Sequence, residues 1–222
     1  MSSNSLGKYL HIKKLCSKNN HLQMLTVDQR PPIFNIIKKA KKGIFTYKDV
    51  VECKNLISSN LSEFTTATLM DPYYSVPNLL HKNQSKGLII TLEDHQFKEK
   101  EKGRFSHNIK NWSVEKIKKM GGDAVKILAW YRPDSNKESI IHQKKYIEKI
   151  GQECERFSIP FLLELLVYPF KNDQNYSNEY KEQQQKSTKH IIDSVREFSK
   201  KKYRVDIFKL ERLRKIYEKQ LT

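Results

Sequence analysis

Asp123-Ala-Val-Lys-Ile-Leu-Ala-Trp130 is a nearly continuous apolar run, and Phe161-Leu-Leu-Glu-Leu-Leu-Val167 is a second one. Residues 135–157, which lie between the two runs, carry apolar side chains at helical spacing. Continuously apolar strands are typical of a parallel sheet that is covered on both faces. This part of the chain therefore predicts a strand–helix–strand unit with two parallel strands.

The same alternation extends along the rest of the chain. Four more apolar runs predict strands, at residues 22–27, 64–70, 87–92 and 205–210. Helices are predicted at residues 33–41, 48–58, 113–120 and 187–200, the third of them with Ser113 as N-cap and Gly121-Gly122 as its end. Strands that alternate with helices predict an α/β fold with a parallel sheet. No break in the pattern marks a domain boundary, so we expect a single domain over residues 1–222.

The composition argues against several functional classes. The 222 residues include 42 Lys and Arg against 25 Asp and Glu, a formal net charge of +17. A basic balance invites a nucleic-acid interpretation, but acidic residues are interspersed, as in Lys98-Glu99-Lys100-Glu101-Lys102, which is typical of solvated faces. We therefore expect no nucleic-acid partner. The sequence has 7 glycines and neither a G-x-G-x-x-G nor a Walker A motif, which excludes the common nucleotide-binding loops.

The sequence also gives no sign of a membrane segment or a metal site. No segment is apolar over the roughly 20 residues that a membrane span needs, and the N-terminus lacks a signal-peptide pattern. We therefore expect a cytoplasmic protein without a membrane partner. Cys16, Cys53 and Cys154 are far apart, which favours free buried thiols. His95 and His107 have no partner at metal-ligand spacing, so we expect neither a metal nor another cofactor.

Charged residues inside the apolar runs are the main functional signal. Lys126, Glu164 and Lys209 each lie within a predicted parallel strand. A lysine in such a place must be paired or have a lowered pKa, because burial disfavours the ammonium form. Two neighbouring lysines with a carboxylate between them could capture a carbonyl substrate as an imine. The other interpretation is a satisfied salt-bridge network inside the sheet, and both remain open at this point.

The order of several motifs along the chain is specific to one family. On the strength of Met24-Leu-Thr-Val-Asp-Gln-Arg30, residues 87–95, Ala124-Val-Lys126 and Glu164, the chain closely resembles the tagatose 1,6-diphosphate aldolase family of class I aldolases over residues 7–211. The resemblance implies a (β/α)8 TIM barrel. It also implies cleavage of a ketose phosphate or bisphosphate similar to tagatose 1,6-bisphosphate into dihydroxyacetone phosphate and an aldehyde, without a metal. Related members act on sulfonated sugar phosphates, so the sugar skeleton stays open.

The resemblance implies a role for each buried charge. Lys209 occupies the place of the Schiff-base lysine, which attacks the ketone carbon of the substrate. Glu164 matches the acid/base glutamate, which takes the hydroxyl proton that lets the carbon–carbon bond break. Lys126 matches the lysine beside the substrate, where it would keep Lys209 neutral and neutralise substrate charge. These three residues are our catalytic candidates.

The end of the first apolar run supplies the substrate-binding candidates. Asp28 and Gln29 match family residues that contact the substrate hydroxyl groups, and Arg30 is a further candidate beside them. In parallel α/β folds ligands bind at the carboxyl ends of the strands, which is where these residues lie. The third run ends similarly in Glu93-Asp94-His95.

The sequence departs from the family at its C-terminal end, where Arg212-Leu-Arg-Lys-Ile-Tyr-Glu-Lys-Gln-Leu-Thr222 is basic and helical in pattern. About six βα units can be counted, whereas a closed barrel has eight and needs about 250 residues. We therefore expect a C-terminally truncated barrel without the loops that usually bind phosphate. A second copy of the chain or a complementing fragment would protect its open edges. Three hypotheses stay open: an active aldolase, an inactive aldolase remnant, and a basic nucleic-acid-binding protein.

Overall fold

The computed structural model describes residues 3–75, 86–171, 173 and 188–211, and its central feature is a parallel sheet of six strands. The strands follow one another in the order β1 (Met24–Thr26), β2 (Ala67–Met70), β3 (Gly87–Thr91), β6 (Ala124–Trp130), β7 (Phe161–Leu166) and β8 (Ile207–Leu210). The six predicted strands are confirmed. Each strand of this sheet lies beside the strand of the same sheet that follows it in the chain, as in a (β/α) barrel.

Helices surround the sheet on its outer face and at its amino end. They are α1 (Ser3–Leu15), α2 (Pro31–Ala40), α3 (Tyr47–Leu61), α4 (Val114–Lys119), α5 (Lys137–Arg156) and α6 (Thr188–Phe198). Short 3-10 turns lie at Ser62–Phe64 and Lys201–Tyr203. The five predicted helices are confirmed as α2 to α6. The sequence did not predict α1 or the antiparallel hairpin of β4 (Lys98–Lys100) and β5 (Gly103–Phe105), which we had interpreted as a solvated charge run.

The boundaries of α4 show how local sequence fixes an element. The Ser113 hydroxyl accepts a hydrogen bond from the backbone N–H of Lys116, as the predicted N-cap requires. Gly121 has a φ of +88°, and the backbone N–H of Gly122 donates to the carbonyl of Ile117 at 3.0 Å. This is a Schellman end, which favours glycine in the left-handed region. The chain therefore turns directly into β6.

The sheet curls toward one face. Lys126 on β6 and Asp28, just after β1, are three strand positions apart, which is about 14 Å in a flat sheet at a strand spacing of about 4.8 Å. Their side chains nevertheless meet, with Lys126 Nζ 2.8 Å from Asp28 Oδ2. Side chains stand roughly perpendicular to a sheet, so only curvature brings them together. The fold is therefore an α/β fold whose parallel sheet curls like part of a barrel.

The two-residue period of the strands separates the core into layers. On β6, Val125, Ile127 and Ala129 face outward and pack with the buried residues of α4 and α5. Ala124 faces inward with Ala67, Leu69, Ile89, Leu162 and Leu15 at the amino ends of the strands. Inward-facing Leu128 and Trp130 pack with Leu166 and Tyr168 at the carboxyl ends. Lys126 lies between these two apolar layers.

Helix α1 closes the amino end of the curled sheet. Leu15 is fully buried in the inner apolar layer, and it lies so near Gly87 that a Cβ there would be 2.6 Å from Leu15 Cδ2. Lys8 Nζ lies 2.9 Å from Asp206 and 3.0 Å from Glu155, which ties α1 to the elements around β8 and α5. Because α1 blocks this end, ligands have access to the inner face from the carboxyl ends of the strands.

Two expectations fall on parts of the chain outside the described residues. The predicted loop at residues 168–186 is described only at 168–171 and 173, and the basic segment 212–222 is not described. In the part of the chain that is described, no helix has the length and apolarity needed to cross a membrane. Over those same ranges, His, Cys, Asp and Glu form no group of three or more that could hold a metal ion.

The cysteines differ from the expectation in one respect. All three are free, as predicted, but only Cys154 is buried, while Cys16 and Cys53 are half-buried. Cys154 lies on the inward side of α5, within the main apolar core. Burial raises the pKa of its thiol well above the usual value, so this thiol stays protonated.

Candidate active site

A cluster of three carboxylates surrounds Lys126 at the carboxyl ends of the strands. Its Nζ lies 2.8 Å from Asp28, 2.8 Å from Glu93 and 2.9 Å from Glu164. Lys126 is only 2% exposed and Glu164 only 3% exposed. An ammonium group has three N–H donors, so each of them has a carboxylate oxygen within reach. A lysine inside an apolar strand is either paired with an acidic group or has a lowered pKa. The structure shows that Lys126 is paired.

Lys209 extends this cluster toward solvent. Its Nζ lies 2.6 Å from Glu164 Oε1, while Glu164 Oε2 faces Lys126. Glu164 and Lys209 are direct neighbours in the register of β7 and β8, which explains the contact. The Lys209 side chain is 28% exposed, in contrast to Lys126. The three catalytic candidates are therefore brought together, with Glu164 between the two lysines.

The substrate-binding candidates lie on the opposite side of the cluster. Gln29 Nε2 donates to Thr26 Oγ1 at 3.2 Å, and Asp28 pairs with Lys126. Arg30 is 3% exposed and donates from Nη2 to the carbonyl of Glu93 at 3.1 Å. Its buried Nε and Nη1 have no hydrogen-bond partner among the described residues. An incompletely paired buried guanidinium is suited to an anionic ligand.

A cavity of about 120 Å³ opens onto the cluster. Its polar side is lined by Asp28, Gln29, Arg30, Glu93, Asp94, His95, Lys126, Glu164 and Lys209, and its other side by Pro31, Pro32, Phe97, Leu128 and Trp130. All six candidate residues therefore line one cavity. A site with clustered ionisable groups against an apolar wall is typical of ligand binding.

The electrostatics of the cluster follow from burial opposed by ion pairing. Burial disfavours the charge on Lys126, but Asp28, Glu164 and Glu93 outweigh burial and raise the pKa of Lys126 well above its usual value. Burial likewise disfavours the carboxylates of Asp28 and Glu164, but the nearby lysines lower the pKa of both groups. The three carboxylates around Lys126 thus favour its charged form.

Glu93 behaves differently from the other two carboxylates. Burial raises the pKa of Glu93, and the cations Lys126 and Arg30 only partly oppose this effect. The sequence alone places Glu93 among several ionisable residues after the third apolar run and does not distinguish it as a site residue. The signal that could have found it is the two-residue period, because Ile89, Thr91 and Glu93 share one face of β3 and its extension.

A buried ion pair beside the cluster fixes the backbone next to Asp28. Lys54 on α3 and Asp71 after β2 are both fully buried and form an ion pair. Lys54 Nζ also donates to the carbonyl of Val27 at 2.6 Å, one residue before Asp28. Asp71 accepts hydrogen bonds from the backbone N–H groups of Tyr73 and Tyr74. These contacts fix the backbone from which Asp28 projects.

The β4–β5 hairpin packs behind the apolar wall. Arg104 on β5 is fully buried, and its Cζ lies 4.3 Å from the ring centre of Phe97, 4.7 Å from that of Trp130 and 4.9 Å from that of Tyr168. Its Nε lies 2.9 Å from Glu99 Oε1. Trp130 thus lines the cavity and stacks on Arg104. Trp112 and Tyr131 pack in or against the main core.

Comparison with known proteins adds an independent line of evidence. The model of the DeoC/LacD family aldolases matches residues 22–218. A tagatose 1,6-diphosphate aldolase of Listeria monocytogenes is 35% identical to this chain over 92% of the chain and 60% of the relative. A tagatose 1,6-diphosphate aldolase of Enterococcus faecalis is 32% identical over 95% of the chain and 63% of the relative. The chain thus spans about 60% of the length of these curated relatives.

The solved structures that resemble the chain are more distant. An archaeal fructose 1,6-bisphosphate aldolase aligns with a TM-score of 0.46 and 16% sequence identity. The alignment covers 75% of this chain and 59% of that one.

Proposed function

Because the chain belongs to the DeoC/LacD family of aldolases, we propose that it is a class I aldolase acting through a Schiff base on Lys209. The substrate is a ketose phosphate or bisphosphate similar to tagatose 1,6-bisphosphate. The products are dihydroxyacetone phosphate and an aldehyde. The relatives named as tagatose 1,6-diphosphate aldolases support this substrate class. The proposal treats residues 1–222 as one barrel-type domain that acts in the cytoplasm.

The observation that carries this proposal is the unequal environment of the two lysines. A Schiff-base lysine must attack as a neutral amine and must reach the substrate. Lys126 is enclosed by three carboxylates, which hold it as a cation. Lys209 is 28% exposed and lines the cavity. Lys209 is therefore the nucleophile, and Lys126 is the fixed positive charge.

The reaction then follows from the geometry around Glu164. The Lys209 amine adds to the ketone carbon, and loss of water gives a protonated imine that withdraws electrons. Glu164, whose Oε1 lies 2.6 Å from Lys209 Nζ, takes the proton of the hydroxyl group on the β-carbon, which is two carbons from the imine carbon. The carbon–carbon bond breaks, its electron pair moves toward the imine, and the aldehyde leaves. Protonation of the resulting enamine and hydrolysis of the imine release dihydroxyacetone phosphate and restore Lys209.

The remaining candidates bind the substrate in this proposal. Asp28 and Gln29 face its hydroxyl groups. The buried Arg30 guanidinium, with Nε and Nη1 lacking partners among the described residues, faces an anionic group of phosphate or sulfonate type. The cavity brings these side chains and Lys209 together, so one extended substrate can contact them at the same time.

Borohydride trapping tests the proposal directly. The protein is incubated with dihydroxyacetone phosphate and borohydride, and the labelled residue is identified by peptide mapping and mass spectrometry. We expect a reduced adduct on Lys209, none in Lys209→Met, and a wild-type level in Lys110→Met, which replaces an exposed lysine. Lack of an adduct in a folded wild-type sample would overturn the aldolase proposal and favour an inactive remnant. An adduct on Lys126 would overturn the assignment of the nucleophile.

A further inference from the structure

We propose that His95 and Arg30 form an anion subsite that holds the phosphate on the aldehyde half of the substrate, at the end of the sugar chain away from the ketone. The inference rests on the proposed aldolase function and deepens it. It gives a binding role to His95, which is outside the six candidate residues, and it makes a ketose bisphosphate the preferred substrate over a ketose monophosphate.

Arg30 contributes a buried cation whose hydrogen-bonding capacity is only partly used. It is 3% exposed, and its Nη2 donates to the carbonyl of Glu93 at 3.1 Å. Its Nε and Nη1 have no hydrogen-bond partner in the part of the chain that the structure describes. Asp28 and Glu93, whose charges Arg30 also stabilises, are both paired with Lys126. A buried guanidinium in these surroundings is stabilised by an anionic ligand.

His95 adds a second basic group to the same part of the cavity. It lies just after β3 and lines the cavity together with Arg30, and its side chain is 31% exposed. Its Nδ1 lies 3.1 Å from Asp94 Oδ1, which also accepts a hydrogen bond from the backbone N–H of Gln96 at 3.1 Å. A carboxylate beside Nδ1 favours the tautomer that carries its proton on Nδ1. In the neutral ring Nε2 is then a proton acceptor.

The charges around His95 couple its protonation to a bound phosphate. Burial and the charge of Arg30 lower the pKa of His95, and the charged groups Asp94 and Asp71 only partly oppose this effect. His95 is therefore neutral near pH 7.5 in the empty cavity. A phosphate dianion beside Nε2 favours the imidazolium, which donates from Nε2 to the phosphate and from Nδ1 to Asp94. Binding therefore takes up a proton from solvent.

The position of Lys209 decides which phosphate reaches this subsite. Lys209 lies on β8, whereas Arg30 follows β1 and His95 follows β3, on the other side of the Lys126 cluster. In a ketose 1,6-bisphosphate the first phosphate is on the carbon next to the ketone, so it stays near Lys209 once the imine forms. The second phosphate is at the far end of the sugar chain. It is therefore the second phosphate that extends to Arg30 and His95.

The start of α2 leaves this recognition to side chains. Pro31 and Pro32 begin α2 and line the cavity beside Arg30. The positive end of the helix dipole lies here and favours an anion, but proline has no N–H group to donate. An anion at this place therefore depends on Arg30 and His95 for its hydrogen bonds.

Calorimetric titration with glycerol 3-phosphate tests the subsite without catalysis, because this probe has a phosphate on a short polyol and no carbonyl that could form an imine. We expect wild type to bind it at pH 7.5 with uptake of roughly half a proton to one proton, measured in two buffers of different ionisation enthalpy. His95→Gln should bind about 3- to 10-fold more weakly and take up no proton. Arg30→Lys should bind about 10- to 100-fold more weakly. His21→Gln, which replaces an exposed histidine, is the matched control and should bind as wild type does.

Turnover tests whether the subsite recognises the second phosphate of the substrate. The ratio of kcat/KM for tagatose 1,6-bisphosphate to kcat/KM for tagatose 1-phosphate measures this preference. We expect the ratio to fall about 3- to 10-fold in His95→Gln and about 10- to 100-fold in Arg30→Lys. An unchanged ratio in both folded variants would overturn the assignment of the subsite to the second phosphate.

The binding and trapping results separate this inference from the aldolase proposal. Failure of folded wild type to bind glycerol 3-phosphate, or binding that both variants leave unchanged, would overturn the subsite, while an adduct on Lys209 would still support the aldolase. Tighter binding of the corresponding sulfonate, without proton uptake, would overturn phosphate as the ligand. Phosphate binding with the expected variant effects in a protein that forms no borohydride adduct would support the subsite and overturn the aldolase proposal.

Discussion

Lys126 occupies the centre of the site without a hydrogen-bond donor to spare. Its ammonium faces Asp28, Glu93 and Glu164 at 2.8, 2.8 and 2.9 Å. The positive charge therefore stabilises the three buried carboxylates. Breaking a buried ion pair by removing one partner is costly because the other partner remains as an uncompensated buried charge.

Lys126→Met tests this role through stability and its dependence on pH. At about pH 7.5 we expect the variant to lose roughly 3–5 kcal/mol of unfolding free energy, because three buried carboxylates lose their shared cation. In wild type the pKa values of Asp28 and Glu164 are lowered, so their stabilisation is present above the unfolded pKa values and is lost as the pH falls through the folded ones.

In Lys126→Met the pH dependence of the unfolding free energy has the opposite sign. Burial without the cation raises the pKa of the carboxyl groups, so they take up protons on acidification and the folded state gains stability relative to neutral pH. The difference in unfolding free energy between wild type and the variant should therefore be smaller near pH 5 than at about pH 7.5, by about 1 kcal/mol or more. Urea unfolding at both pH values measures it, with Lys110→Met as the exposed control. A deficit that is equal at both pH values would contradict the role of Lys126.

At the scale of elements, the side chain of Arg104 fills the space between the β4–β5 hairpin and the aromatic residues beside the sheet. Arg104 projects from β5 into the rings of Phe97, Trp130 and Tyr168, and Glu99 on β4 pairs with its Nε. Stacking of a guanidinium on aromatic faces is worth up to about 2 kcal/mol per contact when desolvated. The hairpin thereby places Phe97 beside Trp130 in the cavity wall.

Arg104→Met should therefore destabilise the protein by about 2–4 kcal/mol, since Glu99 loses a buried partner and the rings lose their cation. Lys100→Met is the control from the same hairpin: Lys100 is exposed and pairs with an exposed Glu138, so the change should be within about 0.5 kcal/mol. Urea unfolding followed by tryptophan fluorescence measures both variants. Equal stability of the two variants would contradict the anchoring role of Arg104.

At the scale of the whole molecule, β1 and β8 are the outermost strands of the curled sheet in the part of the chain that the structure describes. Among the described residues, β1 pairs only with β2, and β8 pairs only with β7. The four inner strands are fully buried, whereas β1 is half-buried and β8 is half-buried to exposed. Strand edges that are open in this way favour association with another chain.

We expect the purified chain to associate with a second copy through these edges. Light scattering at rising concentration should show a dimer. Leu210→Lys, which places a charge at the open β8 edge where Leu210 is 45% exposed, should shift the protein to the monomer. Ile141→Lys on α5, where Ile141 is 42% exposed, should leave the dimer unchanged. A wild-type monomer at every concentration would contradict this expectation.

The sequence also left parts of the fold and the site unpredicted, for identifiable reasons. The helix α1 carries a weak apolar pattern, and its Leu15 is buried only because the curled sheet offers an amino end to close. The β4–β5 hairpin could not be predicted from local sequence, because Arg104 is buried by aromatic residues that are distant in sequence, such as Trp130 and Tyr168. Contacts of this kind have no local signature in a single sequence.

What the sequence determined by itself is the alternation of strands and helices and the identity of the inward charges. Apolar runs with a period of two and helices with local caps are set by neighbouring residues, so they can be read without a structure. Lys126, Glu164 and Lys209 stood out because charge within an apolar strand is costly.

Only the tertiary structure decided which of those charged residues are enclosed by ion pairs and which line the cavity. The curl of the sheet brings Asp28 and Glu93 to Lys126, which makes Lys126 a fixed cation and leaves Lys209 at the cavity. The strength of an ion pair depends on distance and burial, and both are set by curvature across strands that lie far apart in sequence. The pattern of the chain therefore specifies the candidates, and the curvature of the sheet gives Lys126 and Lys209 different surroundings.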